Sequence, residues 1–154
     1  MKTLVVLLAV AALLAVALYA FLYRFLPSPP MSQPQAKTVT VTVGGTNVEA
    51  RIADTDAARQ QGLSGTASLP EGQGMLFIFQ TPGNWAFWMK DMRYSLDIIW
   101  ADSRGTVTTV DPNVSPASYP QAFSPATPDA LYVLEVPAGF AAAHGIRVGD
   151  TLRF

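Results

Sequence analysis

Gly74-Met75-Leu76-Phe77-Ile78-Phe79, Phe87-Trp88-Met89-Lys90-Asp91-Met92 and Leu96-Asp97-Ile98-Ile99-Trp100 carry most of the chain's large apolar side chains in three short runs. Thr81-Pro82-Gly83-Asn84 parts the first from the second. Short runs rich in branched and aromatic residues, bounded by turn residues, predict strands buried in a core. Charges set inside such runs are expensive to bury, which marks Asp97 and Lys90 at once.

The expected central strand runs from Met75 to Gln80, and Trp85 to Lys90 forms the next. There Trp85, Phe87 and Met89 point one way and Ala86, Trp88 and Lys90 the other. Aromatics on both faces predict a central strand covered on both sides. The sharper alternative is that one face, the one with Trp88, lines a ligand or partner surface. Tyr94 to Ala101 is a further strand, turned at Asp102-Ser103-Arg104-Gly105 into Thr106 to Val110.

Upstream, Lys37-Thr38-Val39-Thr40-Val41-Thr42-Val43 alternates strictly and stops at Gly44-Gly45, so Asn47 to Ile52 is the return arm of a hairpin. Asp54-Thr55-Asp56 caps a short helix over Ala57 to Gln61, with Gly62 as its stop. Downstream, Asp111 to Thr127 is a long loop with four prolines, and loops of that length in a small domain are usually functional or mobile. Ala130 to Val136 is an apolar strand broken by Glu135. Pro137 opens a second short helix, Ala138 to Ala143, and a closing strand follows Gly149-Asp150. The expected fold class is mostly β: a small antiparallel β barrel or sandwich with two short helices, preceded by one N-terminal transmembrane helix.

That helix is read from Leu4 to Tyr23, about twenty residues without a charge, enough to span a hydrocarbon core. Tyr19, Phe21 and Tyr23 suit a membrane interface. A cleavable signal peptide is the rival, with Ala15-Val16-Ala17 before the cut, although the apolar run continues to Phe25. Either way the domain is exported: membrane-anchored and extracytoplasmic (periplasm or cell surface), or secreted if the segment is cleaved. Residues 1–26 are thus the anchor or signal segment, 27–36 a proline-rich spacer, and 37–154 a single β-rich domain.

Of the 154 residues, 50% are hydrophobic and 14% charged, which excludes a disordered chain. From Lys37 onward eight Lys/Arg stand against eleven Asp/Glu, a balance of −3. No basic patch appears, so a nucleic-acid partner is not expected. The absence of cysteine removes disulfides, thiolate metal sites and cysteine nucleophiles. His144 is the sole histidine, at a helix end where the dipole favours it, so no zinc site is expected. Asp54 and Asp56 lack the spacing of a calcium loop. No phosphate-binding glycine motif or nucleophile elbow occurs, and no metal or cofactor is expected.

Arg59-Gln60-Gln61-Gly62-Leu63-Ser64-Gly65, Gly74-Met75-Leu76-Phe77, Phe87-Trp88-Met89-Lys90-Asp91-Met92, Leu96-Asp97-Ile98-Ile99, Leu134-Glu135-Val136-Pro137-Ala138-Gly139 and Gly149-Asp150 occur in a characteristic order. With these motifs the chain, from about Thr46 to Phe154, resembles domain-of-unknown-function family 192, small β-rich proteins of bacteria and archaea. The resemblance implies a compact β domain, often exported, and no established reaction. The chain departs from it at Asp91, where Asn is common, and at Thr66, where a basic residue often stands.

Asp97 and Glu135 each sit on an otherwise apolar strand, so each must be paired or shifted in pKa. Arg59 and Lys90 are the natural counter-ions. The expected binding site joins Arg59, Trp88, Met89, Lys90, Asp97 and Glu135, with Asp97 and Glu135 as the catalytic candidates if there is a reaction. The rival reading has both acids accepting backbone N–H groups or pairing with Arg59 for structure alone. Three functions follow. The first is a membrane-tethered module binding a small ligand or envelope protein. The second is a carboxylate-dependent hydrolase acting on an envelope or carbohydrate substrate. The third is a purely structural accessory.

Overall fold

The computed structural model describes Leu18, Tyr19, Phe21 and residues 37–154. The chain divides into two compact units, Met1–Gln35 and Ala36–Phe154, and the account below concerns the second. The expected anchor and the spacer at 27–36 lie outside the described residues, apart from those three positions. Among the described residues no helix is long and apolar enough to cross a membrane.

The hairpin forms as its alternation predicts. Strand β1 (Thr38–Val43) buries Val41 and Val43, β2 (Thr46–Ala53) buries Val48 and Ala50, and Gly44 and Gly45 turn between them with positive φ. Thr40 and Glu49 face each other on the wet side, joined by a 2.6 Å hydrogen bond. Helix α1 (Asp56–Gln61) then carries the chain over the sheet, so β3 (Gln73–Gly83) lies parallel to β2. That is the one parallel pair in a sheet otherwise antiparallel, and the intervening crossover is what permits it. Gly74 makes the pairing tight: a Cβ there would lie 2.8 Å from the Glu135 carbonyl oxygen and 2.9 Å from Val48 Cγ1.

Strands β5 (Leu96–Ala101), β6 (Val107–Val114), β8 (Ala130–Pro137) and β9 (Leu152–Arg153) complete a seven-stranded sheet in the order β6-β5-β8-β3-β2-β1-β9. Its outer strands meet at one end. Thr106 bridges Thr151, Val107 N–H donates to the Asp150 carbonyl (2.8 Å), and Leu152 N–H donates to the Gly105 carbonyl (2.7 Å). A Cβ on Gly105 would sit 2.3 Å from the Leu152 oxygen, so only glycine admits this contact. The sheet thereby curls into a half-barrel.

Side-chain alternation sorts the core onto two faces. The enclosed face holds Val41, Val43, Val48, Leu76, Ile99, Leu134 and Val136, closed by Phe140 and Ala141 of helix α2 (Phe140–Ala143). The opposite face holds Met75, Phe77, Ile98, Trp100 and Val133, packed with Leu63 and Met89 and with partly buried Ala58 and Phe87.

Several expected boundaries move, each for a physical reason. Trp85 to Lys90 is not a central strand. Only Phe87–Trp88 (β4) pairs, with Ala122–Phe123 (β7), in a separate two-stranded ribbon. Met89 still packs into the core, while Trp88 remains 57% exposed. Strand β5 starts at Leu96 rather than Tyr94. Strand β6 runs on through Pro112 to Val114, which an outer strand tolerates because it needs fewer N–H donors. The expected long loop therefore contains the end of β6, a 3₁₀ turn (Pro116–Ser118) and β7.

Candidate functional site

Helix α1 is short but fixed at both ends. Thr55 Oγ1 accepts from Ala58 N–H at 3.2 Å, and Gly62 ends the helix with φ +49°. This aims Arg59 at the sheet. Pairing between β3 and β8 is regular up to Ile78 and then breaks until Gly83, and the Ile78 carbonyl accepts from Arg59 Nη1 at 2.6 Å. Nη2 pairs with Asp56, and the guanidinium lies 5.3 Å from the centre of the Phe79 ring. Arg59 is thus held on three sides, with its side chain only 14% exposed.

Opposite α1 the chain lifts away from the sheet after Gly83 and lays down aromatic rings. Trp85 stacks on Phe79 (4.1 Å, 7°), and Phe87 meets Phe77 edge-on (4.8 Å, 85°). Trp100, fully buried beneath them, donates its indole N–H to the Trp85 carbonyl at 2.9 Å. Such ring pairs add about 0.5–1.5 kcal/mol each beyond area burial, so the wall is stiff. Between this wall and α1 lies a groove of about 350 Å³, lined by Asp56, Arg59, Gln60, Phe77, Phe79, Trp85, Phe87, Trp88 and Glu135 among others. At its rim Trp88 meets Tyr119 edge-on at 6.0 Å, and both rings are substantially exposed.

Glu135 is the buried carboxyl of this groove, Asp56 the exposed one. Glu135 is 6% exposed, and its Oε2 is buried without a hydrogen-bond partner. Burial pushes the group up to about 8, opposed by the attraction of Arg51. Arg51, Met75 and Glu135 lie in one row across β2, β3 and β8, so the cation stands two strands away, and no ion pair joins it to Glu135.

Asp97 behaves differently. It registers with Val136 on β8 but faces the enclosed side, whereas Glu135 faces the groove. Its Oδ1 accepts from Asn113 N–H (2.8 Å) and Gly139 N–H (3.0 Å), and its Oδ2 from Ala141 N–H (2.8 Å). It clasps the end of β6 and the start of α2 to the sheet. The two candidate acids thus lie on opposite sides of one sheet and are not brought to a common substrate.

Of the six residues expected to converge, Arg59, Trp88 and Glu135 line the groove. Met89 is buried in the core beside it. Lys90 is exposed, and its carbonyl accepts from Ser64 Oγ at 2.9 Å. Asp97 is on the other face. Phe79 and Trp85 were not singled out as site residues, although Trp85 shares the alternating face of Phe87 and Met89, a signal that was legible. Among the described residues no group of three His, Cys, Asp or Glu could hold a metal ion. His144 ends α2 with its ring 4.2 Å from that of Phe140.

A seven-stranded half-barrel with a crossover helix and an aromatic groove defines a class of small β domains. The profile of DUF192, described as "Uncharacterized ACR", matches residues 39–154, and the chain belongs to that family. The fold is shared with a crystal structure of a protein of unknown function from Novosphingobium aromaticivorans DSM 12444. The two are 30% identical with a TM-score of 0.74, over 83% of this chain and 91% of that one. It is also shared with a protein from Sinorhizobium meliloti 1021 described provisionally as a transcription regulator. That protein is 28% identical with a TM-score of 0.73, over 79% of this chain and 97% of the other. No curated protein matches the chain.

Proposed function

We propose that the domain is a small-ligand-binding module whose site is the groove between α1 and the Trp85–Trp88 segment. One observation carries this reading: the buried Glu135 oxygen without a partner, at an aromatic-walled cleft. Natural interiors leave few such groups unsatisfied, so one that stands at a cleft marks a place suited to a polar ligand group. Apolar walls with a few fixed polar groups are the usual make-up of a small-molecule site. The separation of Asp97 from Glu135 supports binding over two-carboxylate hydrolysis, which needs both acids flanking one bond. Export and tethering through residues 4–23 complete the proposal, resting on the apolar length of that segment and setting the ligand among envelope components.

The test is the thermal stability of the full chain against a panel of metabolites, sugars and amines. A ligand at 100 times its Kd raises stability by about 2.7 kcal/mol. Trp85→Ala and Glu135→Gln should each shrink that shift. A shift undiminished in both variants would place the ligand elsewhere and defeat the reading.

A further inference from the structure

The groove has one unmatched position. Three of its lining residues are charged in the ordinary sense: Asp56, Arg59 and Glu135. Arg59 pairs with Asp56, gives one further N–H to the Ile78 carbonyl, and lies over the Phe79 ring. Glu135 has no such partner. Of the strands flanking it, β3 offers Met75 and β5 offers Ile98, neither polar. Beyond them in the same row stand Arg51 on β2 and Asp111 on β6, each two strands away and of opposite sign.

An arriving anion would meet the Glu135 carboxyl and, in Arg59, a cation already paired with Asp56. A neutral hydroxyl would satisfy one oxygen and leave the walls with only apolar contact. A cation uses everything present. Its N–H donors meet the carboxylate, and the Trp85 and Phe87 rings of the wall attract its charge. The wall already accepts such a charge, since the Arg59 guanidinium lies over Phe79. A groove of about 350 Å³ is at the small end for ligand sites, room for one ring or a short chain.

We propose that the groove takes a small monovalent organic cation, an ammonium or guanidinium borne on one ring or a short carbon chain, with its charged head against Glu135. This rests on the groove being a ligand site at all. Because Glu135 holds its proton up to about pH 8, the cation displaces that proton to solvent on binding. Affinity therefore rises about tenfold per pH unit through the range below 8 and levels off above it.

The experiment uses the full chain in a mild nonionic detergent, with benzylammonium as probe and benzyl alcohol as its neutral counterpart. Binding is followed by the Trp85 and Trp88 indole N–H resonances, and proton release by calorimetry in two buffers of different ionisation enthalpy. The expected result is that benzylammonium binds more tightly than benzyl alcohol and releases close to one proton at pH 6.5. Its affinity should climb from pH 5.5 to 7.5. Glu135→Gln should flatten that climb and weaken binding at pH 8 at least about tenfold. Should Glu135→Gln fail to fold, proton release in the native chain reads the same exchange. Equal binding of the two probes, or binding without proton release, overturns the cation assignment and leaves the groove a ligand site. If neither probe moves an indole at millimolar concentration, both readings fall.

Discussion

Asp97 and Glu135 look alike in sequence, each a lone acid inside an apolar strand, yet they lie in two regions with opposite physical states. At the α2 end of the sheet Asp97 accepts three backbone N–H groups brought from β6 and from the turn into α2. At the groove Glu135 leaves Oε2 buried and unanswered, and Arg51, the cation that bears on it, is two strands off. The two strands are adjacent and the residues almost abreast, since Asp97 registers with Val136 and Glu135 with Ile98. One residue of alternation decides which acid becomes a clasp and which stands unpartnered at the groove. A buried acid is therefore diagnostic only once its partners are counted.

The largest effect should come from breaking the clasp. Asp97→Ala leaves three N–H donors without an acceptor, two from the approach to and start of α2, and should destabilise the fold by about 3–5 kcal/mol in urea denaturation. If that loss were below about 1 kcal/mol, water or a rearranged backbone would be satisfying those donors, and the contrast with Glu135 would weaken.

The next effect is specific to pH. Because the folded protein keeps the Glu135 proton up to about 8 while the unfolded chain loses it near the ordinary 4.5, the folded state binds more protons between those values. The Glu135 contribution to stability is therefore fullest below 4.5, falls as pH rises through that window by up to about 1.4 kcal/mol per unit, and is flat above 8. Glu135→Gln should remove most of this decline and be more stable than the native chain at pH 8. Unfolding free energies at pH 5, 6.5 and 8 check it, and parallel curves for the two proteins would contradict the burial of an unpaired acid.

A gentler change sharpens the first. Asp97→Asn keeps one oxygen able to accept, so at least one N–H is stranded and the side-chain amide adds donors where donors already crowd. The expected loss is about 1–3 kcal/mol, less than for Ala. An Asn variant as costly as Ala would show that charge, rather than acceptor count, holds the clasp.

Much of the frame was legible without coordinates. The β1–β2 hairpin follows from Thr-Val alternation ending in Gly44-Gly45, and α1 from Thr55 before it and Gly62 after it. Asp91 is a subtler case. It takes the left-handed backbone, with φ +56°, a conformation that Asp tolerates better than most side chains. What stayed hidden depended on register and on distant segments. The parallel β2–β3 pairing reflects where the crossover sets the chain down, and β4 leaves the main sheet although its residues suit a central strand. The Phe79–Trp85 stack and the Ile78 carbonyl that holds Arg59 sit at an irregularity in the β3–β8 ladder that hydrophobic patterning does not announce. The acids themselves were visible at once, but their division between two faces required knowing which neighbours each strand acquires.

The finest test asks whether the two acids know of each other. If they formed a catalytic or ionic pair, replacing both would cost markedly less or more than the sum of the single replacements, with a coupling of 1 kcal/mol or beyond. Their carboxyl groups point to opposite sides of the sheet and share no partner. The double-mutant cycle of Asp97→Asn and Glu135→Gln at pH 6 should therefore close to within about 0.5 kcal/mol. Closure would mean the clasp can be strengthened or weakened without retuning the groove. A larger coupling would mean that the sheet transmits strain between its faces, and the unpartnered carboxyl at the groove would then have to be explained together with the clasp.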